Sequence, residues 1–533
     1  NVYVSMPSTT AENIVDAFCI HKDMYRGSID IKQAFPTTVR RKEHFHDTAM
    51  LLPKDFKIKG KAVGPNVWVL LEKYLYGEDV ASQMLSLALS DILDDFGASQ
   101  SSVYPSVYIR KDTHKNGKVV VVVQVDDLKV FYKQRRAFMN LLDMFSKGKS
   151  KRQCTYNLGH IGVYNGVTYT EGIDEITGGS YVDKDVNKFV STWIDGIEKT
   201  YDITIPYQST PLPSGLTIQK AVDGQCDPKD VDLDFVAMMQ RIAGGCQWVI
   251  RKGMWIHIFI GVHFQARFCL HPSLMHLKMA FHLVGFMKRT LLWNLRMRYR
   301  SAQMSGIVQP RFEIQTDASF MTADKKGSIL AYIITWNGVI IAAKTLTMKR
   351  KARSIAEAEW SGYAAGLQDG HGCVMFITEL GDRDPYPMKM KGDSEATLIV
   401  VQTNKGTRKM KHMELDIYST QYSLNFGLHE HEWIDGTNLP VDMMTKNLKS
   451  PTYLLRLLRS LPGVVGNFEF MESAAVSEVC FFKPHLREYE ISSSSSLGDV
   501  VPTSPTGMNF DYDIDEVPKN EVPELVKLAS TDS

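Results

Sequence analysis

Adjacent aspartates at 126 and 127 interrupt a strand-prone apolar run, Val119-Val120-Val121-Val122-Val123-Gln124-Val125-Asp126-Asp127-Leu128-Lys129-Val130-Phe131-Tyr132. Val, Phe and Tyr favour strands, so the run predicts a hairpin with both carboxylates at its tip. Like charges this close repel, and each resists desolvation. A divalent cation reverses that balance by binding carboxylate oxygens; an ordinary turn that carries Asp-Asp fits the same residues. Asp30 ends a second short apolar strand within Ser28-Ile29-Asp30-Ile31-Lys32-Gln33-Ala34-Phe35. With the paired aspartates it would complete a three-carboxylate site for two Mg²⁺ about 3.5–4 Å apart. One metal of such a site would activate a hydroxyl such as a primer 3′-hydroxyl, and both would stabilise in-line displacement at a nucleotide α-phosphate.

A second set of acids follows downstream. Asp317 ends the expected strand Phe312–Thr316, and Glu359 lies in the helix opening Ser354-Ile355-Ala356-Glu357-Ala358-Glu359-Trp360. Asp393 follows the expected strand Met388–Lys391, and Asp442 starts the last expected helix. Acids at a strand end, in a helix and after a second strand can converge on one dinuclear site. Each carboxylate alone reads as a solvated surface acid; the ordered series argues otherwise.

The elements that would position these acids are mixed. Residues 1–27 read as mainly helical, leading into a strand at Gly27–Lys32. Lys73–Asp95 has helical periodicity, 163–184 reads as short strands, and Val186–Lys199 as a helix. Thr210-Pro211-Leu212-Pro213-Ser214-Gly215 marks a linker, and 235–290 is apolar and aromatic at helical spacing. From Pro310 the order is strand, hairpin, helix, strand, helix, strand, helix, and Asn337-Gly338 is the favoured type I′ turn of that hairpin. Beyond 450 the serines 492–496, several prolines and the acids Asp511, Asp513, Asp515 and Glu516 predict disorder.

Composition sets the outer bounds. The chain has 533 residues, 44% apolar and 23% charged, as in a water-soluble globular protein of roughly three domains. The net charge of +1 hides basic clusters at 288–300, at Lys344, Lys349, Arg350, Lys351 and Arg353, and at Lys405, Arg408, Lys409, Lys411 and His412. These fit a polyanionic partner, or simply solvated faces. Seven cysteines without C-x-x-C spacing predict neither a zinc site nor a disulfide framework. The most apolar region, 242–270, is broken by Arg251 and Lys252, which argues against a membrane span. No secretory signal opens the chain, and a start at Asn1 reads as a piece of a longer reading frame. His257, His263, His276 and His282 sit among aromatics and read as core histidines. His429 and His431 alternate onto one strand face without a further ligand.

The series Asp30-Ile31-Lys32-Gln33-Ala34-Phe35, Tyr74-Leu75-Tyr76-Gly77, Val125-Asp126-Asp127 and Thr210-Pro211-Leu212-Pro213-Ser214-Gly215-Leu216 resembles the reverse transcriptase of copia-type LTR retrotransposons. The resemblance covers roughly residues 1–450. It implies that Asp30, Asp126 and Asp127 hold polymerase metals and that Phe35 is the aromatic gate against a ribose 2′-hydroxyl. It also places Gln124 beside the nucleotide and the primer grip at Tyr164-Asn165-Gly166. The downstream acids resemble retroelement RNase H, in which Asp317, Glu359, Asp393 and Asp442 would hydrolyse RNA in a hybrid. Glu359 suits the family helix better than Glu357, the fallback. Lys349, Arg350, Lys351, Arg353, Lys409 and Lys411 would then hold hybrid phosphates.

The implied fold is an α+β polymerase palm with partial fingers (1–184) and a helical thumb or connection (185–305). A mixed α/β RNase H-like domain (306–450) and a disordered tail (451–533) would follow. The implied cofactor is Mg²⁺, two per site, with Mn²⁺ as a substitute. The implied partners are an RNA template, a DNA primer, RNA–DNA hybrid, deoxynucleoside triphosphates and other polyprotein parts such as integrase and capsid. No membrane is implied; the expected compartment is a cytoplasmic virus-like particle, with the nucleus as a second, and secretion is not expected. The sequence departs from the family at Gln124, where an aromatic is usual, at Pro36-Thr37-Thr38, and at Asp79-Val80-Ala81-Ser82-Gln83. RNase H without polymerase, a catalytically degenerate nucleic-acid-binding remnant, and a host-recruited interaction protein are the rival readings.

Overall fold

Val119–Gln124 and Asp127–Tyr132 form the expected hairpin, in register from Val119 opposite Tyr132 to Gln124 opposite Asp127. The protein is described by a computed structural model at residues 7–40, 48–53, 56–58, 61–62, 66–112, 117–147, 151–305, 311–320, 327–382, 386–403 and 412–468. Lys409, Lys411 and the acidic, serine-rich stretch of the tail lie outside the described residues. Val125 takes φ +57° at the hairpin tip, a sign that a β-branched side chain resists.

The hairpin belongs to a six-stranded antiparallel sheet. Its order is Cys154–Leu158, Tyr25–Ile31, Asp127–Tyr132, Val119–Gln124, Val107–Arg110 and Ser99–Gln100. Val119, Val121, Leu128 and Val130 pack with Leu85 and Leu89 of the helix Ala81–Asp95 and with Phe138 and Leu141 of Arg135–Ser146. Val120, Val122 and Phe131 face the opposite way, into a cluster with Val15 and Phe18 of the helix Thr9–His21. Because both faces are covered, the strand is a continuous valine run rather than an alternating one.

Thr9–His21 is buried along ten consecutive residues, charges included. Lys129 Nζ donates to Asp16 Oδ1 at 2.7 Å, both side chains fully buried. Lys184 Nζ donates to Asn13 Oδ1 at 2.7 Å, and Lys252 pairs with Glu12 at 2.6 Å. The helix thereby ties the first sheet to its neighbours.

The second sheet runs Val163–Tyr164, Val167–Ile173, Ser180–Asp185, Arg296–Arg300, Val464–Val465. It corrects two expectations. The stretch 185–305 is not helical throughout, since Arg296–Arg300 returns to pair with Ser180–Asp185, on the far side of the expected boundary. Order also continues past 450. Ser450 caps the helix Pro451–Ser460, whose Leu454, Leu455, Leu457 and Leu458 are buried, and Val464–Val465 pairs with Arg296–Arg300. The apolar stripe of that helix and its Ser-Pro start are the signals that the compositional reading of the tail overrode. Between the paired strands lie the expected helices Asn187–Tyr201, Leu233–Gly253, Phe259–Phe268 and Leu274–Leu291.

The third sheet is mixed, ordered Val339–Thr347, Ile329–Trp336, Phe312–Ser319, Met388–Gly392, His429–Trp433, with the last two pairings parallel. Asn337 and Gly338 both take positive φ, as a type I′ turn requires. The helix Ile355–Glu379 packs on this sheet and runs eleven residues beyond the expected Gln368. The expected helix Leu439–Leu448 is a single turn, Asp442–Thr445. The fold is therefore mixed α/β, built on three main sheets. No helix among the described residues is long and apolar enough to cross a membrane.

Candidate active sites

Asp30 lies directly opposite Asp127 across the antiparallel pair, and Ile31 N donates to Asp126 O at 3.0 Å. Strand pairing alone brings the three acids to one end of the sheet. Asp30 accepts hydrogen bonds from Lys32 Nζ and, at 2.9 Å, from Thr155 Oγ1. Against burial, which pushes it up, these two donors hold the Asp30 carboxyl below the ordinary carboxylate range. Asp127 moves the other way, to about 6, because burial and then the Asp126 and Asp30 charges disfavour its ionised form. Burial, reinforced by Asp30, raises Asp126 as well. Asp30, Asp127, Thr155, Asn157, Tyr164 and Asn165 line an open cleft of about 270 Å³.

Two further expected residues lie close by in sequence but differ in setting. Gln124 accepts at Oε1 from Asn165 Nδ2 at 2.8 Å, which joins the hairpin to the turn Asn165-Gly166. Phe35 is 8% exposed and meets Tyr76 edge-on, ring centroids 4.8 Å apart.

The second centre is tighter. Ligand oxygens of Asp317, Glu359 and Asp393 lie within 4.8 Å of one another, the only such group of acids, histidines or cysteines among the described residues. Asp317 sits in the strand Phe312–Ser319, Asp393 directly follows the neighbouring parallel strand Met388–Gly392, and Glu359 comes from the helix above them. Glycines on that helix permit the approach. A Cβ at Gly362 would stand 3.3 Å from the Asp317 carbonyl oxygen, and one at Gly366 would stand 2.8 Å from Thr316 Cγ2.

Charge crowding marks this centre. Burial, then Asp317 and Asp393, pushes Glu359 up to about 9. Burial and Asp317 raise Asp393, and the same two causes push Asp442 up to about 7. Asp442 is not in the close group; Lys446 Nζ lies 2.8 Å from its Oδ1 and 3.3 Å from Asp317 Oδ1. Thr445 Oγ1 donates to Asp317 Oδ2. An all-oxygen, anionic donor set of this kind suits a hard divalent cation, Mg²⁺ or Mn²⁺, which would relieve the repulsion.

Glu357 is engaged elsewhere. It accepts from Arg353 N at 2.7 Å, lies 2.8 Å from His412 Nε2, and pairs with Arg350 at 3.7 Å. Lys349, Arg350, Lys351 and Arg353 are exposed. By contrast Arg296 and Arg298 are committed to the fold, Arg298 through two 2.7 Å hydrogen bonds to Asp183. His257 is fully buried against Thr290 and pushed down to about 3 by that burial, and His282 bonds Thr210 O, as core histidines do. Sequence reasoning placed His412 only in a basic cluster and gave no role to Lys32, Thr155 or Lys446. Only the last carried a local signal, its i+4 spacing from Asp442.

No protein-family model matches the chain, and no curated protein matches it. Among solved structures it is similar to a foamy viral protease-reverse transcriptase in complex with double-stranded DNA, at 11% identity and TM-score 0.40, over 79% of this chain and 59% of that one. A foamy viral protease-reverse transcriptase in complex with RNA/DNA hybrid gives 12% identity and TM-score 0.40, over 81% of this chain and 46% of that one. The N-terminal RNase H domain of a Mycobacterium tuberculosis protein, solved as a maltose-binding-protein fusion, gives 15% identity and TM-score 0.18, over 31% of this chain and 99% of that one. The chain thus spans less than two thirds of the two viral chains.

Proposed function

We propose that the chain is a nucleic-acid enzyme with two metal-dependent carboxylate centres: an RNA-directed DNA polymerase and an RNase H, of the copia retrotransposon type. The observation that carries this reading is the convergence of Asp317, Glu359 and Asp393 from three separate elements. The pairing of Asp30 with Asp127 supports a polymerase centre.

Bound divalent ions would supply Lewis acidity and a nucleophile at neutral pH. Asp317, Glu359 and Asp393, joined by Asp442, would hold them at the hydrolytic centre, and Asp30, Asp126 and Asp127 at the synthetic one. Phe35 would limit the sugar pocket, and Gln124, fixed by Asn165, would floor the nucleotide site. Lys349, Arg350, Lys351 and Arg353 would take phosphates of the hybrid. Template RNA, primer, deoxynucleoside triphosphates and polyprotein partners are part of the proposal.

One observation favours a narrower reading, RNase H without polymerase. Asp30 is already paired with Lys32 and Thr155, and the first three aspartates do not form a close ligand group among the described residues. Primer extension on an RNA template, assayed beside cleavage of the hybrid, separates the two. Extension that Asp126→Asn abolishes supports the full reading; cleavage without any extension leaves the narrower one.

A further inference from the structure

Asp317 is held at both oxygens by one short segment, the turn Asp442–Thr445 and its C-cap Lys446. Thr445 Oγ1 donates to Oδ2, while the Lys446 ammonium lies 3.3 Å from Oδ1 and 2.8 Å from Asp442 Oδ1. The contact to Asp442 follows from i,i+4 spacing. The contact to Asp317 crosses to a different element and makes Lys446 a bridge between two acids of the centre. An ammonium and a divalent ion want the same lone pairs, since the first donates hydrogen bonds to them and the second coordinates them. The lysine side chain is 40% exposed, so it can swing out without disturbing the core.

We propose that Lys446 is a built-in counter-cation of the second centre, which a divalent ion has to displace from Asp317 and Asp442 in order to bind. Lys446 thus neutralises the second centre and sets a threshold for its metal loading.

The inference rests on the second centre being a metal site, and its test keeps the two apart. Mn²⁺ binding is measured by calorimetry and by electron paramagnetic resonance. The full chain carries Asp126→Asn throughout, so that the first centre is disabled. Lys446→Met is expected to bind Mn²⁺ on the order of threefold to tenfold more tightly, the scale of a partly exposed ion pair. Lys446→Arg, which keeps the charge, is expected to stay near the parent, and Asp317→Asn to lose binding. Lys446→Gln carries the same expectation as Lys446→Met should the latter not fold. Unchanged or weaker binding in the uncharged variants, with Asp317→Asn still defective, overturns the counter-cation role and leaves the metal site standing. Binding that is indifferent to Asp317→Asn overturns the metal site itself.

Discussion

Gly362 lies against the backbone of Asp317, close enough that a Cβ would come within 3.3 Å of the Asp317 carbonyl oxygen. Three residues earlier on the same helix, Glu359 therefore reaches Asp317 itself, and helix-on-strand distance sets the geometry of the centre.

Glycine substitutions along this helix should separate by position. At Gly366 a methyl would stand 2.8 Å from the β-branched Thr316, so Gly366→Ala is expected to destabilise by about 1–3 kcal/mol and to slow hybrid cleavage. At Gly372 nothing lies within 4 Å, and Gly372→Ala should stabilise by about 0.5–1 kcal/mol through helix propensity. Urea unfolding of the two variants checks both signs.

Glu359 should make the metal-free protein sensitive to alkali. Its folded value, about 9, lies above the ordinary 4.5, so between these the unfolded chain releases a proton that the folded one keeps. Stability from this group is full below about 4.5 and is lost as pH rises towards 9. In EDTA, Glu359→Gln should raise the melting temperature by several degrees at pH 8 and hardly at all near pH 5. Mg²⁺ should remove the advantage at pH 8. Thermal melts across that pH range test the sign.

Asp16 forms a fully buried ion pair with Lys129, which lies two residues from Asp127 on the same strand. Removing one partner strands the other charge, so Asp16→Asn should cost about 3–5 kcal/mol. A smaller loss, within about 1 kcal/mol, would mean that Tyr169 and the nearby Glu12 charge already satisfy Lys129. Denaturant midpoints decide it.

Much of this architecture was legible in local sequence. Strand-prone apolar runs and Asn337-Gly338 pointed to the hairpins, and the start of the long helix was expected at Ser354, where its cap lies. Asp317, Asp393 and Asp442 could be placed because each falls at or near an element end, and Glu359 because it lies in the first turns of a long helix. The tertiary contacts at the two centres were not legible. Lys446 touches Asp317 through tertiary packing, and Gln124 meets Asn165 across two sheets. Thr9–His21 buries Glu12, Asn13 and Asp16, which an amphipathic reading assigns to solvent. The ordered helix at 451–460 was masked by the composition of the residues after it.

Two independent centres are the core of the account, and one substrate reports on both: a DNA primer annealed to labelled RNA, followed for extension and for RNA cleavage in Mg²⁺. Asp317→Asn should lower cleavage on the order of 100-fold or more and spare extension, and Asp126→Asn should do the reverse. Cleavage that survives Asp317→Asn, or a single substitution that abolishes both activities in a folded protein, would contradict it.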